Sequence, residues 1–186
     1  ARKTWPRELD EIAGPDGQLA VIHIDGNGLG QRLRSLCEKP GLDRLERLDR
    51  ASKAIAKATT AAIRSACQLL YDAAESDQLP GRPLVLGGDD VTIVVRADLG
   101  VEFCRRFLAE FETSSARELG ALEAGAPGLT ACAGVAITKS TFPFHMGHTL
   151  AESLCKWAKK QAWTPTGTAS CVAFHRVTTA RVPLYE

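Results

Sequence analysis

At 186 residues the chain is long enough for one domain with a substantial core, and its composition, 45% hydrophobic and 24% charged, is that of an ordinary globular protein. Twenty-three Lys and Arg against 22 Asp and Glu leave a formal net charge of +1, which excludes a global field drawing the chain onto nucleic acid or a membrane. There is no long apolar run and no signal-peptide pattern, so no membrane partner is expected.

Residues 1–17 are polar, with an early Trp5-Pro6, and predict a short helix and a loop. Residues 18–24 contain the continuous apolar run of a buried strand, which leads directly into Asp25-Gly26-Asn27-Gly28-Leu29-Gly30. A helical pattern over 28–38 stops near Pro40-Gly41. From 42 to about 74, Leu42, Leu45, Leu48, Ile55, Ile63, Cys67 and Leu70 mark one face of a long helix. After a loop over 76–83, the β-type runs Pro83–Leu86 and Val91–Val95 flank Gly87-Gly88-Asp89-Asp90, the signature of a tight hairpin that ends at Arg96. Residues 98–119 form an amphipathic helix with Val101, Cys104, Phe107, Leu108 and Phe111 inward. A small-residue strand follows over 129–138, a helix runs from near Pro143 to Gln161, and a last strand spans 170–177.

The order β-α-α-β-β-α-β-α-β contains a β-α-β-β-α-β core, so the expected class is α+β: a ferredoxin-like (RRM-like) antiparallel sheet with helices packed on one face, plus an extra helix and a C-terminal strand. One domain over 1–186 is expected, its core about 18–177. Neither end looks like a natural terminus, although Met removal could expose Ala1, and excision from a longer chain is one of the readings left open. In this topology the first and third strands are neighbours, which brings Asp25 to the same sheet edge as Asp89 and Asp90.

Each acidic element alone has a plain reading as a capped or solvated turn. Together they point to chemistry. Adjacent carboxylates repel, and a hard divalent cation, Mg²⁺ or Mn²⁺, neutralises them. The Gly-rich turn into a helix offers backbone N–H groups at Asn27, Gly28, Leu29 and Gly30 to phosphates. Three carboxylates beside a phosphate cradle suit two-metal nucleotidyl transfer, with two ions per site. Positive charge is expected from the helix bearing Lys156, Lys159 and Lys160, where Lys156 and Lys160 share a face and Lys159 points elsewhere, and from Lys139 and Ser140 after a strand. No Ser-His-Asp arrangement or Walker lysine loop competes, and residues 26–30 do not fit G-x-G-x-x-G. His145-x-x-His148 has no matching ligands nearby and reads as the start of a helix. The six cysteines, Cys37, Cys67, Cys104, Cys132, Cys155 and Cys171, form no C-x-x-C pair and read as reduced, packed thiols of a cytoplasmic protein.

Asp25-Gly26-Asn27 after a strand, Gly-Gly-Asp-Asp on a hairpin, the strand Ala133-Gly134-Val135-Ala136-Ile137 and the helix from Ala151-Glu152 to Ala158-Lys159 resemble, in matching order over most of 18–177, the Cas10/Cmr2 palm domain. That family is related to GGDEF diguanylate cyclases, and the chain is also similar to the minimal CRISPR polymerases, which are single palms. The resemblance implies a palm that makes cyclic nucleotides or oligonucleotides from ATP or another NTP as a second messenger in type III CRISPR defence. It implies Asp25, Asp89 and Asp90 as catalytic metal ligands, with a backbone carbonyl from Ile24 or Gly26. It places Gly28 to Gly30 along the triphosphate, Gly87 and Gly88 beside it, and Lys159 at the family's Ala-Lys position. The chain departs from GGDEF enzymes at Asp90 and Val91 and lacks their Arg-Gly-Asn ending, so adenine rather than guanine is implied. Joining two nucleotides needs two facing donors, hence a homodimer or a second palm in a parent chain, and CRISPR effector subunits are implied partners. The alternative is a palm that binds nucleotide, or only packs within an effector, without chemistry.

Overall fold

The central strands are apolar on both faces, so a sheet built from them has to be covered on both sides. The computed structural model describes residues 3–37, 43–88, 90–164, 167–179, 183 and 185; Asp89, Pro40 and Gly41 lie outside the described residues. The elements run β1 (Gln18–Gly26), α1 (Leu29–Cys37), α2 (Arg44–Asp72), β2 (Gly81–Gly87), β3 (Asp90–Arg96), α3 (Gly100–Gly120), β4 (Ala131–Lys139), α4 (Phe144–Gln161), β5 (Trp163–Thr164), β6 (Gly167–Thr168) and β7 (Cys171–Arg176). The order of the major elements is the expected one. A single 3₁₀ turn at Leu9–Glu11 stands where a short helix was expected, and the small β5–β6 hairpin occupies the stretch between α4 and the last strand.

The main sheet has the order β2-β3-β1-β4-β7. All its pairs are antiparallel except β4 with β7. β1 and β3 are neighbours, as the ferredoxin-like topology requires.

Side chains alternate across each strand. Ala20, Ile22 and Ile24 of β1, with Val91, Ile93 and Val95 of β3, face α2 and α3. On α2 the small residues Ala51, Ala54, Ala58, Ala62 and Ala66 are buried, which lets Phe103, Phe107 and Phe111 of α3 pack close. Leu19 and Val21 point the other way, onto Leu150, Leu154 and Ala158 of α4. The ferredoxin pair α2 and α3 thus lies on one face as expected, while the added α4 seals the opposite face. The physical reason is the lack of polar alternation in β1, whose second face also needs a cover.

That cover is very close. A Cβ on Gly134 of β4 would lie 1.9 Å from the Ala151 carbonyl oxygen and 2.5 Å from the Cys155 nitrogen, so α4 rests its backbone on the strand where no side chain intervenes. Cys155 Sγ donates to the Cys132 carbonyl at 3.2 Å in the same contact. Burial pushes the Cys155 thiol up to about 12 and raises the thiols of Cys104 and Cys132 as well. Among the described residues, no helix is long and apolar enough to cross a membrane.

Gly134→Ala should lower stability by about 1–3 kcal/mol, the usual cost of overpacking, read as a drop in the urea midpoint. A second expectation concerns pH. An unfolded thiol titrates near 9.0, while folded Cys155 keeps its proton to about 12. Its contribution is therefore complete below about pH 9 and is lost as pH rises towards 12. Urea titrations across that window should show a falling midpoint, and Cys155→Ala should make the fall shallower.

Candidate metal and nucleotide site

The β1–β3 ladder ends at the pair Ile24 with Val91, and one residue further along each strand stand Asp25 and Asp90. Both belong to the α4 side of the sheet, because Asp25 follows Val21 and His23 at period two and Asp90 precedes Thr92 and Val94. Their side chains are partly exposed, 40% for Asp25 and 51% for Asp90. Asp89 lies outside the described residues. Among the described residues, no group of three or more His, Cys, Asp or Glu gathers to hold a metal ion.

Asp25 does not face solvent alone. Lys159 of α4 donates from Nζ to Asp25 Oδ2 at 2.7 Å and to the Gly26 carbonyl at 2.7 Å. One carboxylate and one carbonyl oxygen thus converge on a single cation, here an ammonium. Two hard oxygens in that arrangement fit Mg²⁺ or Mn²⁺, so the donor chemistry is compatible with the expected metal. It is the Gly26 carbonyl, of the Ile24 and Gly26 carbonyls considered from the sequence, that joins Asp25.

Asp90 is held differently. His23 Nδ1 lies 3.4 Å from Asp90 Oδ1 and 3.5 Å from Thr92 Oγ1. Thr92 Oγ1 is 3.5 Å from His148 Nε2, and His148 Nδ1 is 3.8 Å from Glu152. The two imidazoles meet edge to face at 5.9 Å. Sequence reasoning did not single out His23. Its signal was there, a lone ionisable residue inside an otherwise apolar strand two positions before Asp25. His148, read as part of a helix start, belongs to this chain of polar groups.

The turn after β1 is fixed by Asn27. Its backbone N–H, expected to meet phosphate, instead donates to the Thr130 carbonyl at 2.8 Å, and Nδ2 donates to Thr130 Oγ1 at 3.0 Å and to the Ala169 carbonyl at 3.1 Å. Its Oδ1 is buried and has no hydrogen-bond partner among the described residues. Leu29 is buried in the core, so it can offer a ligand only its backbone. Gly28 has φ of 62°, a conformation that strains any other residue, and added Cβ atoms on Gly28 and Gly30 would meet nothing within 4 Å. The same openness surrounds Gly87 and Gly88 at the hairpin. Both glycine elements therefore leave room for a ligand beside the carboxylates.

Lys156, Lys159, Lys160 and Glu152 line a cavity of about 580 Å³ on α4. A second cavity, of about 720 Å³, lies between Asn27, Gly28, Arg32 and the β5–β6 hairpin, with Trp163 exposed at its rim. Lys139 and Ser140 are not at the site. Lys139 pairs with Gln18 at the start of β1, whereas Asp25 pairs with Cys132. Seven residues of strand, about 23 Å, separate the two ends. Lys139 donates to the Asp16 carbonyl, and Ser140 to that of Gly17 at 3.0 Å. The expectation for these two is corrected: β4 runs antiparallel to β1, so its C-terminal end lies at the sheet edge opposite Asp25.

Residues 18–164 match the family described as Cas10/Cmr2, second palm domain. No curated protein matches the chain. Among solved structures it is similar to Csm1 in T. onnurineus, at 17% identity and a TM-score of 0.62 over 87% of this chain and 22% of that one. It is similar also to a Csm1–Csm4 cassette in complex with one ATP, at 18% identity and a TM-score of 0.60 over 77% of this chain and 19% of that one. A Csm1–Csm4 cassette in complex with cA4 gives 18% identity and a TM-score of 0.58 over 77% and 20%. The chain spans about a fifth of the length of these matched chains. The match takes in most of the chain, with the turn at Asp25 and the hairpin at Asp90 inside it, and the chain belongs to the Cas10/Cmr2 second palm domain family.

Proposed function

We propose that this palm is a metal-dependent nucleotidyltransferase that joins NTPs, with ATP preferred, into a cyclic nucleotide or oligonucleotide, in the cytoplasm and within CRISPR-type defence. The observation that carries the reading is the convergence of the Asp25 carboxylate, the Gly26 carbonyl and Asp90 at one open sheet edge, beside a glycine turn with free space around it. Family membership supports it, and so do the ATP and cA4 complexes of the similar Csm1–Csm4 cassettes.

Asp25, Gly26 and Asp90, with Asp89, would hold Mg²⁺ or Mn²⁺, two ions that neutralise phosphate charge and activate the attacking hydroxyl. The chain's own residues supply position and fixed charge. Backbone N–H groups at Gly28 to Gly30, at the N-terminus of α1, receive phosphate oxygens. Lys156 and Lys159 add positive charge from α4, and Gly87 and Gly88 keep the hairpin low beside the nucleotide. His23 orients Asp90. Because the described residues contain one such edge, a facing donor comes from a second copy of the chain or a second palm, and CRISPR effector subunits are the partners in which it would sit.

One observation favours a second reading, a palm that binds nucleotide or only packs within an effector: the Lys159 ammonium already satisfies Asp25 without metal.

Incubation with each NTP and Mg²⁺ or Mn²⁺, followed by product mass spectrometry, separates the two. A cyclic product is expected, with ATP used before GTP in direct competition. Asp25→Ala and Asp90→Ala should each lower the rate by at least about 10²-fold, the scale of losing an electrostatic contact made in the transition state. Melting should change little, since the Asp25–Lys159 pair is half-exposed and such pairs contribute about 1 kcal/mol or less. Full activity in Asp25→Ala would remove the reading. Light scattering with and without a nonhydrolysable ATP analogue should show dimers when nucleotide is bound; a strict monomer that still forms product would exclude facing copies.

A further inference from the structure

Lys159 stands at the border of two features. Its ammonium sits between Asp25 Oδ2 and the Gly26 carbonyl, 2.7 Å from each, the point at which these two oxygens would hold a divalent ion. Its side chain also lines the cavity of about 580 Å³ that Lys156 and Lys160 flank. An ammonium and a divalent cation cannot share the same two oxygens, because the positions overlap and the charges repel. A lysine head on a four-carbon stem, 29% exposed here, can leave one partner for another without moving the helix that carries it.

We propose that Lys159 is a displaceable place-holder. Without metal its ammonium neutralises Asp25 and keeps the end of β1 formed. Metal expels it into the cavity, where it joins Lys156 and Lys160 and completes a site for a polyphosphate chain. Glu152 lines the same cavity and, with His148 at 3.8 Å, is the anionic group the displaced ammonium meets when no phosphate is present. Two consequences follow from mass action. Metal alone binds against the resident ammonium, so its affinity is lowered. A polyphosphate that engages the displaced ammonium favours the metal-bound state, and by reciprocity metal favours polyphosphate. The inference rests on the metal reading above and adds the order in which Lys159 serves the two ligands. It also accounts for the Asp25–Lys159 pair, which otherwise favours an inert palm.

The test uses the whole chain and two readouts other than turnover. Free Mn²⁺, measured by electron paramagnetic resonance, gives the affinity for the metal alone. Wild type should bind, Asp25→Ala should lose binding, and Lys159→Met should bind about fivefold tighter than wild type, the change expected on removing a half-exposed ion-pair competitor. The second readout is the side-chain ammonium NMR signal of Lys159 in wild type, which needs no variant to fold. It should shift as Mg²⁺ saturates the site, and inorganic triphosphate added to the Mg²⁺-saturated chain should then shift the Lys159 and Lys160 signals together. If Asp25→Ala binds Mn²⁺ as wild type does, or wild type binds none, the metal reading itself falls and the inference with it. If wild type binds and Asp25→Ala does not, but Lys159→Met is no tighter and the Lys159 signal stays still in Mg²⁺, displacement alone is overturned. A triphosphate response that leaves Lys159 and Lys160 unmoved overturns the polyphosphate half.

Discussion

The contact between α4 and β4 at Gly134 sets the geometry of everything else at the sheet edge. The missing Cβ lets the Ala151 carbonyl and the Cys155 nitrogen approach the strand far more closely than a side chain would allow. From that seat α4 delivers three groups along its length: His148 onto His23, Cys155 onto the Cys132 carbonyl, and Lys159 onto Asp25. A helix held farther out would leave the Asp25 carboxylate facing solvent and Thr92 without its second imidazole. The close approach is therefore a packing feature with an electrostatic result. It brings a cation and a polar chain to a strand end that the apolar sequence of β1 would otherwise leave to repelling carboxylates.

Two balances meet at that edge. Asp25 is opposed by a full positive charge through short contacts. Asp90 is steadied through longer contacts, by His23 and through Thr92 and His148 as far as Glu152. The firm pairing is on the central strand, whose neighbours on both sides fix it, and the softer one on a hairpin arm whose far strand, β2, is an edge with Leu84, Val85 and Leu86 exposed. One carboxylate is thus built into the sheet, and the other stands on its more exposed arm.

Much of this was legible in the residues. The run into Asp25, the Gly-Gly-Asp-Asp hairpin and the neighbourhood of the first and third strands followed from glycine placement and a familiar topology. What was not legible has identifiable causes. Helical periodicity shows which residues of α4 are apolar but not which face of the sheet they cover, so helices on both faces were not foreseen beyond an extra helix. Lys159 was expected to point away from Lys156 and Lys160, yet it shares their cavity, and its partners at Asp25 and Gly26 could be named only once α4 was seated. Lys139 was misplaced because nearness to a strand end was weighed without asking which end; β4 antiparallel to β1 answers that. His23 was passed over because a single polar residue in an apolar run has too short a pattern to register. The β5–β6 hairpin has strands of two residues, too short for any period to show.

Asn27 is the anchor that holds the turn after β1 in form. Its side chain is spent on the Thr130 hydroxyl and the Ala169 carbonyl, tying the turn to the entrances of β4 and β7. Leu29 is spent on the core. What remains facing outward at Gly28, Leu29 and Gly30 is backbone, and backbone N–H groups recognise a phosphate whatever side chains surround them. Side chains here hold the turn, and the main chain is what is left facing outward. The turn therefore depends on Asn27 for its anchor and on Leu29 for its seat in the core, with Gly28 supplying the left-handed residue between them.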